Sequence, residues 1–232
     1  MEVKLKKETV VISVGGSLIV PNRINTPFIK SFKKIIEKYV RKGWRFVIIS
    51  GGGQTARNYQ NVAKQFTALS KDDIDWIGIN ATWLNANFLR IIFDKKSHEK
   101  IFTDPTKKIS FKEPILIAGG FRPGASTDYV AVLIVKKLKA HRLINLTNID
   151  FVYTRDPRKY NNIDPIKDIT WKAFQKLLPK KWDPGLHIPF DPVASREAQK
   201  IGLEVAVING RNLKEFERYL DGKKFRGTLI HP

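Results

Sequence analysis

Arg45-Phe46-Val47-Ile48-Ile49-Ser50-Gly51-Gly52-Gly53-Gln54 is an apolar run that ends in three glycines and leads into a helix-like stretch reaching Phe66. A short, continuously apolar run bounded by glycine reads as a strand buried on both faces. Two other segments repeat the arrangement. Thr9 to Val14 runs into Gly15-Gly16-Ser17, and Pro114 to Ala118 runs into Gly119-Gly120-Phe121-Arg122-Pro123-Gly124-Ala125-Ser126-Thr127-Asp128. Glycine lets backbone N–H groups approach an anion closely, and a helix N-terminus adds a positive partial charge. Three such loops in one α/β chain point to a site for more than one phosphate group.

Strand-like and helix-like runs alternate outward from these loops. After Thr26-Pro27, read as a cap and first helical position, apolar residues from Phe28 to Val40 recur at helical spacing until Gly43. Further helices are expected over Asp72 to Phe93, Ser126 or Thr127 to Lys139, Thr170 to Leu178, Asp191-Pro192 to Lys200, and Leu213 to Leu220. Strands are expected at His141 to Leu146, at Glu204 to Ile208 and, as a last edge strand, at Thr228 to Ile230, with a hairpin starting at Phe151 to Thr154. Lys100 to Lys112 fits either state, and Lys180 to Phe190 reads as irregular. The pattern predicts an α/β three-layer sandwich with a mostly parallel central sheet. The 232 residues fit one domain, with a soft boundary that divides it into halves of about 1–112 and 113–232.

Composition narrows the chemistry. There is no cysteine, so disulfides and thiol catalysis are excluded. The N-terminal residues have no apolar core of a signal peptide, and no apolar run reaches the roughly 20 residues that span a bilayer. A cytoplasmic protein without membrane contact is expected. The net charge is +20, from 42 Lys+Arg against 22 Asp+Glu. The basic residues scatter instead of forming a block, which favours a small anionic substrate over a dedicated nucleic-acid partner. The histidines (His98, His141, His187, His231) are too dispersed to form a metal set, and there is no Walker-type phosphate loop.

Single motifs leave alternatives open. Gly51-x-Gly53-x-x-Ala56 matches a dinucleotide fingerprint but serves equally as a glycine turn before a helix. Asp128 reads either as electrostatic capping of its helix or as the group that orients a magnesium ion or catalytic cation. Asp75 reads either as the acceptor for both ribose hydroxyls or as another helix start. Thr147 to Pro157 follows a strand, where ligands bind in parallel sheets, but by itself is an ordinary hairpin.

Taken together, these stretches resemble the amino-acid kinase superfamily and, within it, the archaeal-type uridylate (UMP) kinases. The likeness runs from Val14-Gly15-Gly16-Ser17 through Gly51-Gly52-Gly53-x-x-Ala56-Arg57, Asp75-Trp76-Ile77-Gly78-Ile79 and Gly119-Gly120-x-x-Pro123-Gly124-x-Ser126-Thr127-Asp128. It continues through Thr147-Asn148-Ile149-Asp150-x-Val152-Tyr153-Thr154-x-Asp156-Pro157 to Asp191-Pro192-x-Ala194 and Gly227-Thr228-x-Ile230.

The resemblance implies ATP and UMP as substrates, Mg2+, and a homohexamer built from dimers. It implies ATP contacts from Gly16, Ser17, Gly53, Arg57, Thr147, Asn148, Tyr153 and Asp156. It implies UMP contacts from Gly52, Asp75, Phe121, Arg122, Pro123, Gly124, Ala125, Ser126 and Thr127, with Asp128, Arg57 and Asp150 as catalytic residues. Metal ligands are not assigned. The chain departs from the family pattern at Phe151, where glycine is usual, at Phe121 and Ala125 in the acceptor loop, and at Trp83, where arginine is common; Ser13 and Val14 precede the first glycine pair, where many superfamily members carry lysine and the archaeal-type members also lack it. Another small-phosphate kinase of the superfamily, such as one acting on isopentenyl phosphate, and a non-catalytic binding relative are the competing readings.

Overall fold

A computed structural model of the chain describes residues 9–155, 163–178 and 190–232. In chain order it forms β1 (Thr9–Val14), α1 (Gly16–Ile19), α2 (Thr26–Arg41), β2 (Arg45–Ser50), α3 (Gly53–Phe66), α4 (Lys71–Phe93), β3 (Ile115–Ala118) and α5 (Thr127–Leu138). Then come β4 (Arg142–Thr147), β5 (Val152–Tyr153), β6 (Pro165–Ile166), β7 (Asp168–Thr170), α6 (Trp171–Leu177), α7 (Pro192–Lys200), β8 (Glu204–Asn209), α8 (Leu213–Leu220) and β9 (Thr228–His231).

Seven strands build one sheet in the order β3-β2-β1-β4-β8-β9-β7. The run from β3 to β8 is parallel throughout, and β9 lies antiparallel to β8. Strands from both halves of the chain therefore share one sheet. Parallel strands need long crossovers, and the intervening helices cover both faces. Alternation along β1 sends Val10, Ile12 and Val14 to the layer holding Phe32 and Ile36 of α2, Leu89 and Phe93 of α4, and Phe216 of α8. Val11 faces the opposite layer, with Val130 and Ile134 of α5, Trp171 and Phe174 of α6, and Ala194 and Ala198 of α7. Ser13 shares the parity of Val11, a placement that matters for the site.

Several local expectations need revision. The first long helix is capped by Asn25, whose side chain accepts from the Phe28 N–H at 3.3 Å, so Thr26 is already helical. The short α1 directly after Gly15 was not expected. Thr170 caps α6 and also ends β7, a strand the pattern did not announce. β9 is not an edge strand, because β7 pairs with its outer side. Between Lys100 and Lys112 no helix or regular strand forms, and a single bridge ties Phe102 to Ala118. The expected hairpin exists as β5 paired with β6. The irregular reading of Lys180 to Phe190 lies outside the described residues except at Phe190. Among the described residues no helix is long and apolar enough to cross a membrane.

Gly15, Gly51, Gly119, Thr147 and Gly210 lie at or just beyond the carboxyl ends of β1, β2, β3, β4 and β8. That edge is where open α/β sheets bind ligands. The first two loops touch backbone to backbone. A Cβ on Gly16 would lie 2.0 Å from the Gly53 amide nitrogen, and Gly53 itself has φ +64°. By contrast Gly222 has φ +68° in open space. Gly16→Ala should therefore cost about 3 kcal/mol through forced displacement of the neighbouring loop. Gly222→Ala should cost only about 1 kcal/mol, the left-handed backbone penalty. Urea unfolding of the two variants checks the difference.

Candidate active site

The junction of the first two glycine loops is the base of the site. Gly15 N–H donates to Leu146 O at 2.8 Å, Gly51 N–H to Val14 O at 2.9 Å and Gln54 N–H to Val20 O at 2.8 Å. The first two bonds tie the loops to β4 and β1, and the third ties the start of α3 to the end of α1. A Cβ on Gly51 would lie 2.4 Å from the Gly16 nitrogen, and one on Gly53 2.4 Å from the Gly16 oxygen. Gly16 opens α1 and Gly53 opens α3, so two helix starts are brought side by side. Such a pair favours clustered negative charge. Ser17 and Arg57 flank the junction on these helices, and the Arg57 Nε donates to Gln54 Oε1 at 3.0 Å.

One helix holds the acceptor side. Asn85 of α4 is buried and donates to Gly51 O at 2.9 Å and Gly52 O at 3.1 Å. Thr82 Oγ1 accepts from Gly120 N–H at 2.7 Å, and Trp83 Nε1 donates to Gly120 O at 2.7 Å. Asp75 Oδ2 accepts from Gly124 N–H at 2.7 Å. Asp75 is thus no helix cap, since Ser70 and Asp73 form the capping box of α4. Gly124, with φ +77°, follows Pro123 in a turn closed by Ala125 N–H to Arg122 O at 3.1 Å. Ser126 caps α5 by accepting from Tyr129 N–H at 3.0 Å. Gly52, Asp75 and the segment Phe121 to Thr127 are therefore assembled around α4.

Asp128 lies in the first turn of α5, behind this loop. Its Oδ1 accepts from Ser13 Oγ at 3.1 Å, because strand parity turns Ser13 towards α5. Its Oδ2 takes a long 3.4 Å bond from Asp191 N–H. Asp191 caps α7 through Ala194 N–H at 2.7 Å. Dense protein surroundings, then the nearby Asp191 charge, push the Asp128 carboxyl up from 3.8 to about 7. Burial pushes Asp191 up as well. Two neighbouring carboxyls do not both ionise readily. Asp128 still retains partial solvent contact.

The third expected catalytic residue, Asp150, sits elsewhere, beyond the end of β4. Its Oδ1 accepts from Asn209 Nδ2 at 2.7 Å and its Oδ2 from Arg226 at 3.0 Å. The Asn209 bond and then Arg226 hold its carboxyl below the usual range. Phe151 is only 8% exposed; the Arg226 guanidinium lies 5.5 Å from its ring centre, and Tyr153 meets it edge-on at 6.4 Å. Its ring is packed inward against Arg226 and Tyr153. Thr147 O accepts from Gly210 N–H at 2.8 Å, Asn148 is exposed, and Asp156 lies outside the described residues.

Among the described residues no three metal-binding side chains gather. Magnesium typically uses one or two carboxylates together with substrate phosphates, so a preformed cage is not required. A cavity of about 750 Å3 opens between α2 and α8, but none of the expected nucleotide residues lines it. Sequence reading missed Ser13 and Thr82 as site-building residues, along with Asn209 and Arg226. Strand parity alone would have placed Ser13 opposite α5.

Asp128 carries a pH signature. In the native state it keeps a proton that the unfolded chain releases above about 3.8. Its contribution to stability is full below that value and is lost as pH rises through about 7. Asp128→Asn should flatten the fall in stability between pH 4 and pH 8, as measured by urea unfolding across that range.

Comparison with known proteins agrees with this architecture. Residues 8–209 match the model of the amino acid kinase family. The uridylate kinase of Methanospirillum hungatei JF-1 is 32% identical over 230 residues, covering 96% of this chain and 94% of that protein. The uridylate kinase of Pyrococcus abyssi is 31% identical over 227 residues, covering 96% and 99%. The crystal structure of uridylate kinase from Archaeoglobus fulgidus superposes with a TM-score of 0.79 at 28% identity, covering 95% of this chain and 99% of that one. UMP kinase from Bacillus anthracis shares the fold at a TM-score of 0.77 and 20% identity. With the family model spanning both glycine loops, the acceptor loop and strands β1 to β8, the chain belongs to the amino acid kinase family.

Proposed function

We propose that this chain transfers the γ-phosphoryl group of ATP to UMP, giving UDP and ADP. The observation that carries this reading is the fused Gly16–Gly53 junction, with the Asp75–Gly124 acceptor loop on one flank and the Thr147 to Tyr153 segment on the other. Uridylate kinases similar along their whole length support it.

A phosphate oxygen of UMP is already an anionic nucleophile. It attacks the γ-phosphorus, the bond to the β-phosphate oxygen breaks, and no general base is needed. Catalysis then rests on aligning two phosphates and spreading their charge. Backbone N–H groups of the first two loops and the Arg57 guanidinium are suited to that work, with Gly16, Ser17, Gly53, Arg57, Thr147, Asn148, Tyr153 and Asp156 on the ATP side. Gly52, Asp75 and Phe121 to Thr127 bind UMP. Asp75 keeps one carboxylate oxygen for the ribose while the other holds Gly124. A magnesium ion bound to the ATP phosphates would add further neutralisation of their charge.

Asp128 takes a positioning role between Ser13 and Asp191, and Asp150 a role in shaping the ATP side through Asn209 and Arg226. An N-terminal acceptor half and a C-terminal ATP half do not separate cleanly: α4 of the first half carries Asp75, but Phe121 to Thr127 come from the second, and Gly16, Ser17, Gly53 and Arg57 of the first half join Thr147, Asn148, Tyr153 and Asp156 of the second on the ATP side. The reaction suits the cytoplasm.

The resemblance to uridylate kinases points to a homohexamer built from three dimers. One face of α3 carries Tyr59, Val62 and Phe66, exposed by 70%, 52% and 84%. Their i, i+3, i+7 spacing makes one apolar stripe of the kind subunit contacts cover.

A coupled ADP-release assay tests the reaction with ATP, magnesium and a panel of UMP, CMP, dUMP, AMP and isopentenyl phosphate. UMP-dependent turnover is expected, and silence across the panel from folded protein would refute the reading. Asp75→Ala should raise the KM for UMP by about tenfold, the loss of a charge-assisted hydrogen bond, and the KM for ATP far less. Phe66→Glu should lower the mass of the assembly in sedimentation equilibrium.

A further inference from the structure

We infer that Trp83, through its indole N–H, is the residue that sets the conformation of the acceptor loop and so tunes affinity for the nucleoside monophosphate. The inference deepens the UMP kinase reading and rests on it.

Gly120 is gripped at both of its polar groups by adjacent residues of α4. Its N–H donates to Thr82 Oγ1 at 2.7 Å, and Thr82 passes its own proton to Ile79 O at 2.6 Å. Its carbonyl accepts from Trp83 Nε1 at 2.7 Å. Four residues on, Gly124 N–H is held by Asp75, two helical turns before Thr82. The loop from Phe121 to Pro123 is therefore strung between two anchors on one rigid helix. The anchors are themselves joined, because Trp76, next to Asp75, meets Trp83 edge-on with ring centres 6.4 Å apart.

The fit at Trp83 is close. A Cβ on Gly119 would lie 2.6 Å from Trp83 Cδ1, so the indole fills the space that this glycine leaves. A phenyl ring keeps an aromatic group at this position, though a smaller one than the indole, and strips the Gly120 carbonyl of its donor. An unpaired, partly buried carbonyl is costly, and the loop relieves the cost by turning away. The loss then falls on the acceptor side, because the grip of Trp83 and Thr82 is on Gly120, at the head of the acceptor loop.

The test compares Trp83→Phe, which keeps an aromatic ring without the N–H, with Trp83→Arg, which restores a long N–H donor. Trp83→Phe should raise the KM for UMP about fivefold, the size of one lost hydrogen bond, and leave the KM for ATP within about twofold. Calorimetric titration with UMP alone should show the same weakening without any turnover. Trp83→Arg should recover at least half of the loss. Equal movement of both KM values, an unchanged UMP affinity in Trp83→Phe, or no rescue by arginine would overturn the inference while leaving the kinase reading intact. Should Trp83→Phe fail to fold, Trp83→Arg decides alone: UMP affinity within about twofold of the parent supports the donor role, and a larger loss overturns it. A parent protein that binds no UMP would overturn both readings.

Discussion

The closest constraint in this structure is the contact between the backbones of Gly16, Gly51 and Gly53, where no side chain of any kind has room. Much else follows from it. The contact joins the ends of β1 and β2, so the helices that begin there start at one point. Their loops are pinned by N–H bonds from Gly15 and Gly51 to β4 and β1 and from Gln54 to the end of α1. A polyanion bound at this junction meets backbone N–H groups that are already oriented. The cost of arranging them is met on folding, which is what electrostatic preorganisation means for phosphoryl transfer.

The second constraint is α4. Its buried Asn85 fixes the second glycine loop, while Thr82, Trp83 and Asp75 fix the third. A 23-residue helix is a stiff support, and its capping box starts it firmly at Ser70. Acceptor loop and phosphate junction are thus referenced to one element. The opposite flank is organised differently, through the ion pair of Asp150 with Arg226 and the inward packing of Phe151.

Elements with strong periodicity were legible in the sequence. The central strands, α2, α4 and α5 lie within a residue or two of their expected bounds, because burial and helical spacing leave a direct mark. The glycine loops were legible as a group. Less visible was what depends on pairing across the chain. β7 has three residues and no distinctive pattern, so it escaped notice, and β9 was taken for an edge strand as a result. The Ser13–Asp128 bond joins residues 115 positions apart, and Arg226 reaches Asp150 across 76. Asp128 looked like a helix cap or a cation guide; it is a half-shielded carboxyl facing Ser13 and Asp191. Asp75 looked like a ribose ligand or a helix start, and in the structure it also anchors Gly124. Phe151 stands where glycine is usual in the family, and its ring is packed inward.

The most direct measurement is a crystal structure of the chain with UMP and a non-hydrolysable ATP analogue bound together. The account predicts that the UMP phosphate and the terminal phosphate of the analogue meet above Gly16 and Gly53, with the UMP ribose at Asp75 and the adenine on the Thr147 to Tyr153 side. Phosphates bound away from the Gly16–Gly53 junction, or UMP seated without contact to the loop that α4 holds, would contradict it.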